Sequence, residues 1–152
     1  MARSYSAMFV HLVFSTKGRR PFLEDPDLRV EMHSFLGGVS KNLGCQPLIV
    51  GGVEDHVHIL ANLGKSTSQS DWVKELKRQS SIWAKQRDPN LREFAWQGGC
   101  GVFSVSVEGL PAARNYITNQ EEHHKNVSFQ EEFIALLKEH GMEWDPRDLL
   151  DD

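Results

Sequence analysis

Two periods of apolar residues alternate along this chain. Residues 8–15, Met-Phe-Val-His-Leu-Val-Phe-Ser, are rich in β-branched and aromatic side chains and predict a strand. A basic loop from Thr16 to Pro21 follows it. Asp25-Pro26 has the form of an N-cap with proline at the first helical position. Leu28, Met32, Phe35, Leu36, Val39 and Leu43 then recur at helical spacing, with Gly44 as a stop. Residues 46–53 and 56–62 predict two short strands, and the few residues between them allow only an antiparallel hairpin. Ser68-Gln-Ser-Asp71 resembles a capping box. Trp72, Val73, Leu76, Ser80 and Trp83 give the next helix one buried face, and Asp88-Pro89-Asn90 ends it. Residues 102–107 alternate as a half-buried strand. Pro111 opens a helix through about Lys125, and residues 129–140 predict a last one.

The first six elements run strand, helix, strand, strand, helix, strand. That order is the split βαβ pattern of an α+β, ferredoxin-like (RRM-like) fold: a four-stranded antiparallel sheet with two helices on one face. The other face is then free for a site, and further helices follow the last strand. The chain of 152 residues fits one domain, 1–152, with an acidic C-terminal tail at about 141–152. No apolar run approaches a membrane span, and His11 and Ser15 interrupt the first apolar stretch, so a cytoplasmic protein is the default expectation. Cys45 and Cys100 belong to no Cys-x-x-Cys pair and are expected as small buried or half-buried residues.

Charge changes the picture through its distribution. The net charge of −4 argues mildly against nucleic acid. Yet residues 1–23 carry Arg3, Lys17, Arg19 and Arg20 with no acid, and residues 65–92 carry seven bases against three acids. These two blocks make one phosphate-binding surface if the fold brings them together. Lys17, Arg19, Arg20, Lys74, Lys77 and Arg78 are the physical candidates for phosphate contacts. The acidic stretch 145–152 is expected to be a solvated tail.

Candidate chemistry lies in two places. In Asp55-His56-Val57-His58-Ile59-Leu60, residues i and i+2 of a strand share a face, so His56 and His58 point together and Val57 and Ile59 point away. Two imidazoles so placed can hold one divalent metal, although two histidines around a valine are a weak signal alone. In Asn115-Tyr116-Ile117-Thr118-Asn119-Gln120-Glu121-Glu122-His123-His124, Tyr116 and Gln120 are one helical turn apart on one side. His123 and His124 lie a turn further on, as a polar helix end or as support for a metal. His11, His33 and His140 are expected to be ordinary structural or surface residues. A phenol is mostly protonated at neutral pH, and a metal that polarises a phosphate would let it act as a nucleophile.

These residues resemble a known family. His56-Val57-His58 resembles the histidine–hydrophobic–histidine motif of HUH nucleases. Tyr116 with Gln120 resembles the single-tyrosine helix of the insertion-sequence-200-like transposases. His11-Leu-Val-Phe-Ser-Thr-Lys-Gly-Arg-Arg-Pro21-Phe and Phe94-Ala-Trp96-Gln97-Gly-Gly-Cys-Gly101-Val-Phe103 are similar to the family's opening strand and to the stretch before its catalytic helix. Cys100 stands where an aromatic residue, usually tyrosine, is expected. The resemblance implies a transposase that binds hairpins in single-stranded DNA, cleaves nearby and forms a 5′-phosphotyrosine link. It implies Tyr116 as nucleophile, with His56, His58 and Gln120 as ligands of Mg²⁺ or Mn²⁺. It also implies a homodimer in which the histidines of one subunit can meet the tyrosine helix of the other.

Other readings remain open on sequence. A non-catalytic nucleic-acid-binding module can use the same sheet, since ferredoxin-like sheets bind RNA through exposed aromatics; histidines, serines and a tyrosine favour catalysis instead. A small metal hydrolase would use water in place of Tyr116. A domesticated relative would process repeated DNA without moving its own element.

Overall fold

Strand alternation divides the chain's apolar residues between two faces of one sheet. In the computed structural model, which describes residues 2–149, the sheet consists of β1 (Phe9–Ser15), β2 (Gln46–Gly52), β3 (His56–Asn62) and β4 (Gly101–Ser104). Their order is β2-β3-β1-β4, and every pair is antiparallel. This is the expected ferredoxin-like arrangement. Val10, Leu12 and Phe14 of β1 and Val57, Ile59 and Ala61 of β3 face one side. There they pack on α1 (Pro26–Asn42), through Leu28, Met32, Leu36 and Val39, and on α2 (Gln69–Arg87), through Trp72, Leu76 and Ala84. The caps act as expected at both helices: the Asp25 side chain accepts from the Asp27 N–H at 3.0 Å and Ser68 Oγ from the Asp71 N–H at 3.0 Å.

Two buried serines tie this layer together. Ser40 Oγ of α1 accepts from the Trp72 indole N–H at 2.9 Å and donates to the Cys45 carbonyl at 2.6 Å. Ser80 Oγ of α2 accepts from the Trp96 indole N–H at 2.9 Å and donates to the Leu76 carbonyl at 2.6 Å. Trp72 is fully buried and Trp96 half-buried, and in each a large apolar body carries a single donor that needs a partner.

The second face differs from the sequence expectation, because it is covered. After β4 come α3 (Leu110–Thr118), α4 (Gln120–His123) and α5 (Phe129–Glu139). A second apolar cluster joins Val13 and Phe103 of the sheet to Leu136 and Leu137 of α5, with Phe129, Phe133 and Trp144 against it. The alternation of residues 102–107 overstated β4. The chain leaves the sheet after Ser104 into a turn closed by the Gly109 N–H on Ser106 Oγ, and Val107 is exposed. The single helix expected from Pro111 to about Lys125 is broken at Asn119, whose ψ of 22° is non-helical. A reciprocal capping box, absent at Ser68, opens α5: Ser128 and Glu131 cap each other's backbone N–H groups.

Ser40→Ala leaves a buried indole N–H and a buried carbonyl without partners. It should destabilise the fold by about 1–3 kcal/mol, read as a lower denaturant midpoint with an unchanged slope.

Candidate active site and metal centre

His56 and His58 occupy alternate positions of β3, on the face away from α1 and α2, and both are fully buried. Their rings lie 5.1 Å apart. In the β1–β3 register Val13 stands opposite His58 and Ser15 opposite His56, which leaves His11 one diagonal step from His58. His11 Nε2 meets His58 Nδ1 at 2.7 Å. Asp55, held at its carbonyl by the Thr16 N–H and hydroxyl, accepts the His56 Nδ1–H at 2.7 Å.

The tyrosine helix reaches these histidines because β2 has no side chain in its way. A methyl group on Gly51 would sit 2.7 Å from Ile117 Cγ2 and 2.8 Å from the Ile117 carbonyl oxygen. The α3 backbone therefore rests directly on β2, and Tyr116, next to Ile117, is carried over the His11–His58 pair with ring centroids at 6.0 and 5.8 Å. Gln120, one turn later and 1% exposed, turns Oε1 to His56 Nε2 at 3.0 Å.

The centre of the cluster is a residue that the sequence reasoning missed. Glu132 of α5 is 2% exposed. Its Oε1 lies 3.2 Å from His56 Nε2, 3.2 Å from His58 Nε2 and 3.0 Å from His124 Nε2. Its Oε2 accepts from the Tyr116 hydroxyl and, at 2.9 Å, from the Gln120 amide. His123 Nε2 is 3.6 Å from Oε2, too long for a hydrogen bond. A signal for Glu132 did exist. Phe129, Glu132, Phe133, Leu136 and Leu137 make one helical stripe, and a carboxylate inside an apolar stripe needs a buried partner. His11, expected to be ordinary, belongs to the cluster, and so does His124.

Electrostatics follow from this crowding. Burial lowers the His58 pKa to about 4, against the raising effect of Glu132. Burial and the neighbouring His58 lower His11 to about 3. For His56 burial acts the same way, but hydrogen bonds to Asp55 and Glu132 overcome it and raise the pKa to about 9. Burial would raise Glu132, yet bonds from His124, His56 and His58 hold it far below the usual carboxylate range. Burial and Glu132 push the Tyr116 phenol well above its ordinary value. His56, His58, His124 and Glu132 each offer one ligand atom, and all four atoms lie within 4.8 Å of one another, so the donor set fits a metal ion.

One chain thus brings together Tyr116, His56, His58 and Gln120. The basic candidates sit elsewhere, and two of them, Lys17 and Lys77, meet at one segment. The Lys17 N–H donates to the Ala95 carbonyl and the Gly18 N–H to Gln97 Oε1, while Lys77 Nζ donates to the Gln97 and Gly99 carbonyls at 2.8 and 2.6 Å. Both basic blocks therefore border residues 95–99. Lys77 is engaged in holding that segment, Arg20 pairs with Glu93 at 3.3 Å, and Arg78 pairs with Glu75 at 2.7 Å. Arg19 lines a cavity of about 550 Å³ with Gln97, Cys100, Phe129, Phe133 and Trp144. Lys74 is exposed. Cys45 is buried and Cys100 exposed, both as free thiols.

A family model described as "Transposase IS200 like" matches residues 4–120. The chain belongs to the IS200-like transposase family. Two solved structures share its fold. One is a protein from Deinococcus radiodurans R1 assigned provisionally as a transposase, with 24% identity and a TM-score of 0.60 over 79% of this chain and 96% of that one. The other is a REP-associated tyrosine transposase bound to a REP hairpin, with 16% identity and a TM-score of 0.60 over 84% of this chain and 75% of that one. No curated protein sequence matches the chain. Among the described residues, no helix is long and apolar enough to cross a membrane. As a member of this family the chain is an enzyme of the nuclease and strand-transferase kind, with a His/Glu cluster suited to metal. The family match ends at Gln120, so His124 and Glu132 lie beyond it.

Outside the centre, His33 of α1 is mostly buried and its Nε2 has no partner. Burial, then Arg29, lowers its pKa to about 4. The unfolded chain takes up this proton near pH 6.5 and the folded chain near 4, so stability falls as pH drops between those values. His33→Gln should flatten that slope by on the order of 1–3 kcal/mol across the window, checked by urea unfolding at pH 7.5 and pH 4.5.

Proposed function

We propose that this chain cuts and rejoins single-stranded DNA through Tyr116, with a divalent metal held by His56, His58 and Gln120. The observation that carries this reading is the convergence of a phenol, two strand histidines and a glutamine on one buried cluster, at positions matching the family's motif. The structural neighbour bound to a REP hairpin supports hairpin-bearing single strands as the substrate class.

The chain's residues divide the work. Asp55 accepts from His56 Nδ1, which fixes the ring with Nε2 facing the centre. The metal, when bound, supplies Lewis-acid polarisation of the scissile phosphate. Tyr116 Oη attacks phosphorus in line. The bond from phosphorus to the 3′ oxygen breaks, and that oxygen leaves as a 3′ hydroxyl after taking up a proton. Glu132 Oε2 accepts the phenolic O–H in a hydrogen bond and so orients the nucleophile, and the proton given up on attack passes to solvent. The 5′-phosphotyrosine keeps one phosphoester in place of another, so attack by a 3′ hydroxyl rejoins DNA without external energy.

Single-stranded DNA has a matching path. The cavity beside the site offers Phe129, Phe133 and Trp144 for bases, with the Arg19 loop at its wall. Phe129 also lies 4.6 Å from the His56 ring, which joins this cavity to the metal centre. A homodimer forms part of this reading. In that dimer each centre would pair the histidines of one subunit with the tyrosine helix of its own chain or of its partner, and two centres would make two cuts.

With a hairpin-bearing single strand and Mn²⁺ or Mg²⁺, the wild-type protein should form a denaturant-resistant covalent complex. Tyr116→Phe should reduce it to background and leave hairpin binding within about threefold; an adduct with the Phe variant would refute the nucleophile. Replacing His56 and His58 with alanine should stop cleavage, and unchanged cleavage would refute the metal site.

A further inference from the structure

We infer that the metal centre is a nitrogen-rich site completed by His124 and Glu132, and that it selects a first-row transition ion such as Mn²⁺ over Mg²⁺. This rests on the metal-dependent reading above and deepens it.

The geometry points there through the far sides of the rings. His56 Nδ1 faces the Asp55 carboxylate at 2.7 Å and His124 Nδ1 faces the Val127 carbonyl at 2.5 Å. Both partners are acceptors only, so both Nδ1 atoms carry hydrogen. Nε2 is thereby the atom that His56 and His124 turn toward Glu132 Oε1. His58 Nε2 faces the same oxygen, and its Nδ1 is engaged by His11. Three ring nitrogens and a carboxylate oxygen thus converge on one point, which is favourable only with positive charge between them. A single divalent cation would meet all four atoms at once and leave the outer nitrogen of each ring bonded, as in ligating histidines.

The donor types decide which cation. Mg²⁺ takes oxygen and water, whereas imidazole suits transition ions. Gln120 Oε1 stands beside His56 Nε2 as a further oxygen. Five donors of this chain would then face the ion, and a phosphate oxygen of the substrate would join them. Placement of Glu132 is no accident of a flexible tail, because the Ser128 capping box and the Phe133, Leu136 and Leu137 packing fix α5 against the sheet.

The test uses the full chain stripped of metal by chelation, titrated with MnCl₂ or MgCl₂ by calorimetry, and the Mn²⁺ form examined by pulsed electron paramagnetic resonance. One Mn²⁺ should bind per chain, at least tenfold tighter than Mg²⁺, and the spectrum should show three imidazole nitrogens. Glu132→Gln should weaken Mn²⁺ at least tenfold, and His124→Ala should leave two nitrogens. Glu132→Gln binding Mn²⁺ as tightly as wild type, equal affinity for Mg²⁺, or two nitrogens in the wild type would overturn the inference. The wild-type spectrum decides even if a variant fails to fold. A Tyr116 adduct that forms in wild type while these binding results fail would leave the transposase reading standing and sink this one. An absent adduct with a three-nitrogen Mn²⁺ centre would do the reverse.

Discussion

A buried carboxylate surrounded by imidazoles is the constraint on which this structure depends. Glu132 Oε1 has three ring nitrogens within 3.2 Å, and Oε2 has a phenol and an amide. An anion taken out of water costs several kcal/mol unless it is paired and hydrogen-bonded on every side. Here the partners come from several parts of the chain: His56 and His58 from β3, Tyr116 from α3, Gln120 from α4 and His124 from the turn after it, while Glu132 itself stands on α5. The charge therefore acts as a gauge of correct assembly. If any of these elements docks wrongly, a charged group is left buried without a partner.

The sheet makes that assembly possible by having two unlike faces. Toward α1 and α2 it presents Val10, Leu12, Phe14, Val57, Ile59 and Ala61, and dispersion and burial hold that layer. Toward α3 and α5 it presents His11, His56 and His58 in the middle, flanked by Val13 and Phe103 under α5. The apolar flank pins α5, and the bare backbone at Gly51 lets α3 settle on β2. Polar chemistry thus sits in the seam between two helices, dry enough to strengthen electrostatics and open on the Tyr116 side, where the phenol is only partly buried.

Much of this was legible in the sequence, and the failures have definite causes. Element order and strand alternation give the ferredoxin-like sheet and put His56 and His58 on one face. The spacing of Tyr116 and Gln120 puts them on one helical side. Alternation could not locate the end of β4, because Val105 and Val107 continue a strand-like pattern into a turn set by Ser106 and Gly109. Periodicity could not show that the second face is covered, since that depends on where α5 docks. His11 looked ordinary because its partner, His58, is 47 positions away. Glu132 was the legible residue left unused: its place within the Phe129–Leu137 stripe is visible, but a single acid among apolar residues gains meaning only from its neighbours in space.

Residues 116, 120 and 124 explain why the break at Asn119 does no harm. They are spaced four apart, and on an uninterrupted helix they would form one row. The helix loses regular geometry at Asn119, yet the His123 N–H still bonds the Asn119 carbonyl and the His124 N–H the Gln120 carbonyl, both at 3.0 Å. The row survives as Tyr116, Gln120 and His124, all reaching Glu132. The bend lets the helix's last turn fold down beside His56, whose ring lies 4.5 Å from that of His124. Tyr116, Gln120 and His124 are therefore held by one bent element, beside the histidines of β3 and Glu132 of α5. Their relative positions are set by backbone hydrogen bonds and close packing, where a nucleophile carried on a loop would have to be ordered anew at each encounter.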